Sequence, residues 1–180
     1  VKKFRLAVVL IGVFFVLMQT SNAHAAGFAL IEQSVSGLGN AYAGGAASAQ
    51  DATTIFYNPA GLTQLKKPEL IIGGHVIIPH AKFHNENSTH VLQPITGIPL
   101  IGNDGGNAGV TVFVPNFYFS YPVNDRLSVG IGLNVPFGLQ TEYDKNWVGR
   151  YHAIKSAVQT VNINPTIAYK LTDQLSIGQE

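Results

Sequence analysis

The sequence predicts an all-β transmembrane fold, an antiparallel β-barrel of the bacterial outer-membrane kind. Three observations carry this. Long stretches after about residue 66 alternate apolar with small or polar residues, the period of a strand with two unlike faces. Charged residues are only 12% of the chain, about half the usual soluble share, yet no segment beyond the N-terminus approaches the ~20 apolar residues of a membrane helix. The connections between the alternating stretches run long, short, long, short, as in barrels with outer loops and tight periplasmic turns.

The N-terminus supplies the export signal. Lys2, Lys3 and Arg5 precede the apolar run Leu6 to Met18, and a small, polar stretch ends in Ala23-His24-Ala25. This is the three-part pattern of a secretory signal peptide over 1–25, cut after Ala25. Three of the 11 basic residues leave with it, so 8 face 10 acidic ones and the mature net charge is about −2. That balance leaves no basic patch for nucleic acid. Cysteine is absent, which excludes disulfides and thiolate metal sites.

Residues 26–65 are rich in Gly and Ala. "GLGNAYAGG" (37–45) fails as a dinucleotide fingerprint, because Tyr42 stands where Gly or Ala is needed and no strand precedes it. Small residues there suit short helical turns packed closely inside a barrel. The segment ends at Asn58-Pro59-Ala60, where Pro59 fixes φ and Asn58 can bond local backbone.

Four strands and the start of a fifth follow. Over 126–139, Leu127, Val129, Ile131, Leu133, Val135 and Phe137 share one face, and Ser128, Gly130, Gly132 and Asn134 the other. Over 157–170, Val161, Ile163, Ile167 and Tyr169 oppose Thr160, Asn162, Asn164 and Thr166. Less regular strands are expected over 68–80 and 109–121, with breaks in pairing at Pro115 and Pro165. "YPVNDRLSVG" (121–130) and "YKLTDQLSIG" (169–178) echo one another at the short turns. Five strands cannot close in lipid, so the sequence is expected to be the N-terminal part of a longer barrel.

Chemistry-bearing residues are sparse. His75, His80, His84 and His90 crowd the first strand and loop at irregular spacing, without Cys and with few carboxylates, and read as loop histidines rather than a metal site. No phosphate loop or catalytic pair supports an enzyme, and no cofactor is expected.

The segment "AGFALIEQSVSGLGNAYAGGAASAQDATTIFYNPAGL" and the later "VPFGLQTEY" resemble the FadL/TodX-type transporters of long-chain fatty acids and aromatic hydrocarbons. The resemblance implies a 14-stranded barrel in the outer membrane, with 26–65 as an N-terminal hatch and 66–180 as the first strands. It implies that Asn58, Pro59 and Ala60 form the turn ending the hatch. It also places a third-strand kink at Pro136, Phe137 and Gly138 that opens a lateral gap in the wall, and Pro and Gly so close together disrupt ladder pairing on their own account.

The implied function is passive uptake of a hydrophobic molecule, most readily a long-chain fatty acid, leaving sideways into outer-membrane lipid from a barrel that is monomeric when full length. Sideways exit spares the cargo periplasmic water, a cost of roughly 0.8 kcal/mol per CH₂. Phe28 and the apolar stretch Ile98, Pro99, Leu100, Ile101 are the candidate substrate contacts; Arg150 and Lys155 are weaker candidates for a carboxylate. An adhesin or phage-receptor barrel, or a polar porin, are the alternatives.

Overall fold

The computed structural model describes residues 30–180. The expected signal peptide, the start of the expected hatch and Phe28 lie outside the described residues. No helix among the described residues is long and apolar enough to cross a membrane. The chain is built mainly of strands. Five of them, β1 (Glu69–Ile77), β2 (Val112–Pro122), β3 (Leu127–Asn134), β6 (Asn162–Lys170) and β7 (Ser176–Gln179), form one antiparallel sheet in the order β1-β2-β3-β6-β7. A separate hairpin, β4 (Gly138–Glu142) with β5 (Lys155–Gln159), stands beyond β3 and β6.

The sheet is inside-out relative to a soluble protein. Ile72 is 74% exposed and Ile163 61%, whereas Asn134 is fully buried and Asn164 is 6% exposed. The alternation seen in the sequence puts the aliphatic face outward, where lipid replaces water, and the Ser, Thr and Asn face inward.

Residues 30–65 cover that polar inner face. Two short helical segments, Thr54–Tyr57 and the 3-10 segment Pro59–Gln64, bring Ile55 and Leu62, with the flanking Ala52 and Leu65, into one buried cluster with Tyr118 of β2 and Ala168 of β6. Burying side chains the size of Ile55 and Leu62 contributes about 1.5–3 kcal/mol each. The wall makes room with glycine. A Cβ on Gly130 of β3 would lie 2.7 Å from the Ile55 Cδ1, and one on Gly178 of β7 would collide with the backbone of Pro59 and Ala60.

The two short turns repeat one geometry. The Val123 N–H donates to the Leu127 carbonyl at 2.8 Å, and the Leu171 N–H to the Leu175 carbonyl at 2.9 Å, so the sequence echo is an echo of structure. In the second turn Lys170 pairs with Asp173 at 2.9 Å and holds its carboxyl below the usual range.

Three sequence expectations need correction. The stretch 126–139 is not one strand but β3 and β4, and 157–170 is β5 and β6. Pro115 and Pro165 do not break the sheet: Pro115 pairs with Gly74 and Pro165 with Ile131 in continuous ladders. The break falls instead at Val135-Pro136-Phe137, opposite Thr160 and Val161, where three residues of one strand face two of the other. That is a one-residue bulge, which bends the strand and interrupts the ladder.

Candidate functional site

The bulge opens a window in the wall. β2 and β3 pair from Pro122↔Ser128 up to Phe117↔Leu133, and there the ladder stops. It resumes only at an isolated bridge, Gly109↔Thr141, eight residues further along each strand and in the same register. The bent strand therefore leaves β2 and returns to it without slipping. A cavity of about 290 Å³ occupies the opening, lined by Val112, Val114, Pro115, Leu139, Val158 and Val161 among others. Its walls are mostly apolar, with Gln140, Gln159 and Thr160 the polar side chains among them.

A single threonine clasps the bulge. The Phe137 N–H donates to the Thr160 Oγ1 at 3.0 Å, and that hydroxyl donates to the Phe137 carbonyl at 2.5 Å. The Thr160 N–H also donates to the same carbonyl at 3.2 Å. These bonds replace those that the ladder loses at Pro136, so the break is held in one shape.

The N-terminal segment is bonded directly to this break. The Leu30 N–H donates to the Pro136 carbonyl at 2.9 Å. The Gln33 side-chain amide donates to the carbonyls of Val135 at 3.0 Å and Leu30 at 2.9 Å. Its Oε1 accepts from the Asn134 Nδ2 at 2.8 Å, and its backbone carbonyl accepts from the Tyr118 hydroxyl at 2.8 Å. Gln33 is 1% exposed, so these bonds form away from solvent, where leaving a polar group unpaired costs about 1–3 kcal/mol.

Asn58, Pro59 and Ala60 lie at the other end of the segment. Asn58 is extended and Pro59 opens the following 3-10 turn, a position where its missing N–H costs nothing. The Asn58 Nδ2 donates to the Ala46 carbonyl at 2.8 Å, tying the turn to the small-residue stretch. The Thr63 and Ser176 hydroxyls meet at 2.8 Å, joining the turn region to β7. Between the two ends, Asp51 accepts from Ser36 at 2.8 Å and from the Thr53 N–H at 2.9 Å. Tyr57 donates to the Ile31 carbonyl at 3.3 Å; burial, with the neighbouring Tyr42 next, pushes its hydroxyl up to about 12, so it stays a donor at any physiological pH.

The outer ends carry a second cavity, of about 460 Å³. Ile98, Leu100 and Ile101 line it together with Leu92, Pro99, Arg150 and Tyr151. Lys155 is elsewhere, paired with Glu142 at 3.1 Å. The two outer loops that build the cavity are zipped together. Asn103 bridges Trp147 in parallel, the Val148 N–H donates to the Asn103 carbonyl at 2.9 Å, and Trp147 stacks on Tyr143 with ring centres 3.9 Å apart. Among the described residues no group of three His, Asp or Glu side chains is placed to hold a metal.

The sequence named Pro136, Phe137 and Gly138, of which Pro136 and Phe137 lie in the unpaired stretch and Gly138 pairs with Gln159; it gave no notice of the roles of Gln33, Asn134, Tyr118 and Thr160. Asn134 and Thr160 had one signal, their place on the polar inward face. Gln33 had none.

Known proteins match this chain in sequence and in fold. A family model described as "Outer membrane protein transport protein (OMPP1/FadL/TodX)" matches residues 16–180. The chain belongs to this family. Outer membrane protein P1 of Haemophilus influenzae is 37% identical over 169 residues, 90% of this chain and 36% of that protein. The long-chain fatty acid transport protein of Escherichia coli O6:H1 is 34% identical over 166 residues, 91% of this chain and 34% of its own length. The crystal structure of a Pseudomonas aeruginosa FadL homologue superposes with a TM-score of 0.63 at 28% identity, covering 85% of this chain and 36% of that one. The chain spans about a third of the length of these relatives. As a FadL-family protein it is an outer-membrane protein, and its sheet is part of an antiparallel barrel.

Proposed function

We propose that the full-length protein takes up hydrophobic compounds, foremost long-chain fatty acids, by passive diffusion, and that the cargo leaves sideways through the window into outer-membrane lipid. In this reading residues 1–25 are the signal peptide, 26–65 the hatch inside the barrel, and 66–180 the first part of its wall. The outward aliphatic face meets lipid directly, the full-length barrel works as a monomer, and the protein is not an enzyme.

The observation that carries the reading is the bonding of Leu30 and Gln33 to Pro136 and Val135. The segment that fills the lumen is tied by hydrogen bonds to the edge of the one apolar opening described in the wall. A hatch that shifts at its N-terminal end must release these bonds, and that motion uncovers the window's inner mouth. Asn58, Pro59 and Ala60 anchor the far end on β7, so the motion stays local to residues before about Ser36. Phe28 precedes the bonded stretch by two residues and is proposed as a cargo contact on the moving end.

The fatty-acid transport protein of E. coli is a relative by name and sequence, which supports this cargo class. Uptake of radiolabelled oleate by cells carrying the full-length gene tests it. Uptake above the vector control is expected; none would favour an adhesin or phage receptor built on the same barrel.

A further inference from the structure

None of the residues lining the window's cavity carries a charge, and three have polar side chains: Gln140, Gln159 and Thr160. The Thr160 hydroxyl is committed to Phe137, whereas among the described residues the side-chain amides of Gln140 and Gln159 have no partner. Gln159 is exposed and Gln140 half-buried. In the β4–β5 ladder Gly138 faces Gln159 and Gln140 faces Ala157, so the two glutamines are diagonal neighbours on one face of the hairpin. Side chains of that length reach across a diagonal, and both amides can serve one ligand group.

The charges nearby stay out of the cavity. Glu142 and Lys155, next on that face of the hairpin, pair with each other at 3.1 Å. His75 of β1 lies opposite Val114, His80 follows Pro79, and Glu32 is two residues past Leu30, and none of the three lines the cavity. A carboxylate entering such a space loses water and gains no cation, so burial favours its protonated form. A protonated carboxyl has one O–H donor and a carbonyl acceptor, and a glutamine amide offers the complementary carbonyl and N–H. Two amides in an uncharged apolar cavity thus match a neutral, hydrogen-bonding head on an apolar chain.

We propose that Gln140 and Gln159 form a head-group subsite in the window that takes a long-chain acid in its protonated, neutral form and holds back its carboxylate. The inference rests on the sideways-exit reading above and makes it more specific: the species that enters the lipid is the neutral acid, which has taken its proton from water before the window. A hydrocarbon passes the same walls but leaves both amides without a partner, which disfavours it against the acid.

The test uses the full-length protein in lipid nanodiscs and hexadecanol carrying a diazirine beside its hydroxyl, a neutral probe that does not titrate. After irradiation, labelled peptides are mapped by mass spectrometry, and label is expected on those containing residues 138–142 and 157–161. Competitors are palmitic acid, hexadecane and hexadecyl sulfonate, a permanent anion, each at the same mole fraction in the lipid. Palmitic acid should compete about tenfold better at about pH 5 than at about pH 9, where it is ionised. Hexadecyl sulfonate should compete at neither pH, and hexadecane about tenfold less than the protonated acid, as two lost hydrogen bonds imply. Replacing both glutamines, Gln140→Leu with Gln159→Leu, should erase the advantage of the acid over hexadecane while a diazirine-bearing hexadecane still labels the window. His75→Gln should leave the pH dependence in place. Equal competition by palmitic acid at both pH values, competition by the sulfonate, or loss of the pH dependence in His75→Gln would overturn the proposal, and each of these reads on a wild-type or conservatively changed chain. Oleate uptake by cells carrying the wild type separates the two readings: uptake without a head preference at the window overturns the subsite alone, and a head preference without uptake overturns the transport reading alone.

Discussion

The side chain of Gln33 and the backbone of Val135, 102 residues apart in sequence, are joined by a hydrogen bond of 3.0 Å. Val135 is the first residue of the bulge, and Gln33 belongs to the segment that covers the polar inner face of the sheet. The N-terminal segment and the bulge are thus bonded to each other rather than merely adjacent. Gln33→Ala removes three side-chain bonds and leaves the Asn134 amide buried without a partner. The expected result is a loss of about 1–3 kcal/mol in docking of residues 30–35. Hydrogen exchange at the Leu30 and Gln33 amides should speed up by roughly tenfold or more, since 1.4 kcal/mol is a factor of ten, while amides of the β1–β2 ladder stay unchanged.

The bulge has its own keeper. Thr160→Val preserves shape and removes the hydroxyl that bonds both the N–H and the carbonyl of Phe137. A loss of about 1 kcal/mol is expected, read as a lower unfolding midpoint in urea for the full-length protein, and Thr160→Ser should restore most of it. A midpoint unchanged by Thr160→Val would show that the ladder ends hold the window without the clasp.

Gly130 and Ile55 test how the plug seats against the wall. Gly130→Ala sets a Cβ 2.7 Å from the Ile55 Cδ1, and overpacking of this kind costs about 1–3 kcal/mol. The displaced plug should give larger ion currents in planar bilayers. Ile55→Val in the same chain should recover part of the closed state, a coupling that a double-mutant cycle measures.

The sequence made the two faces of the wall legible, because lipid on one side and a polar interior on the other enforce strict alternation. Ile163 and Asn164, adjacent in the chain, are 61% and 6% exposed. Pro136 marked a point where pairing fails, but Gly138 did not: it pairs with Gln159, and the unpaired residues are Val135, Pro136 and Phe137. Periodicity runs straight through Val135 and Phe137, since a bulge keeps the residues apolar while it interrupts the ladder. Pro115 misled in the other direction: its backbone lies beside the window, where no β3 partner claims it, so the missing N–H causes no break. Gln33 was invisible because its side chain bonds the backbone carbonyls of Leu30 and Val135 and the amide of Asn134, the last two about a hundred residues away, and a carbonyl carries no sequence signature.

The most direct measurement is the rate of labelled-oleate uptake by cells carrying full-length Leu139→Arg, beside the wild type and Leu139→Met. Leu139 lines the window from β4, outside the segments that seat the hatch. A guanidinium in this apolar opening is expected to cut uptake by tenfold or more, while purified protein still binds oleate and Leu139→Met transports normally. Wild-type uptake by a correctly folded Leu139→Arg protein would contradict sideways exit through this window.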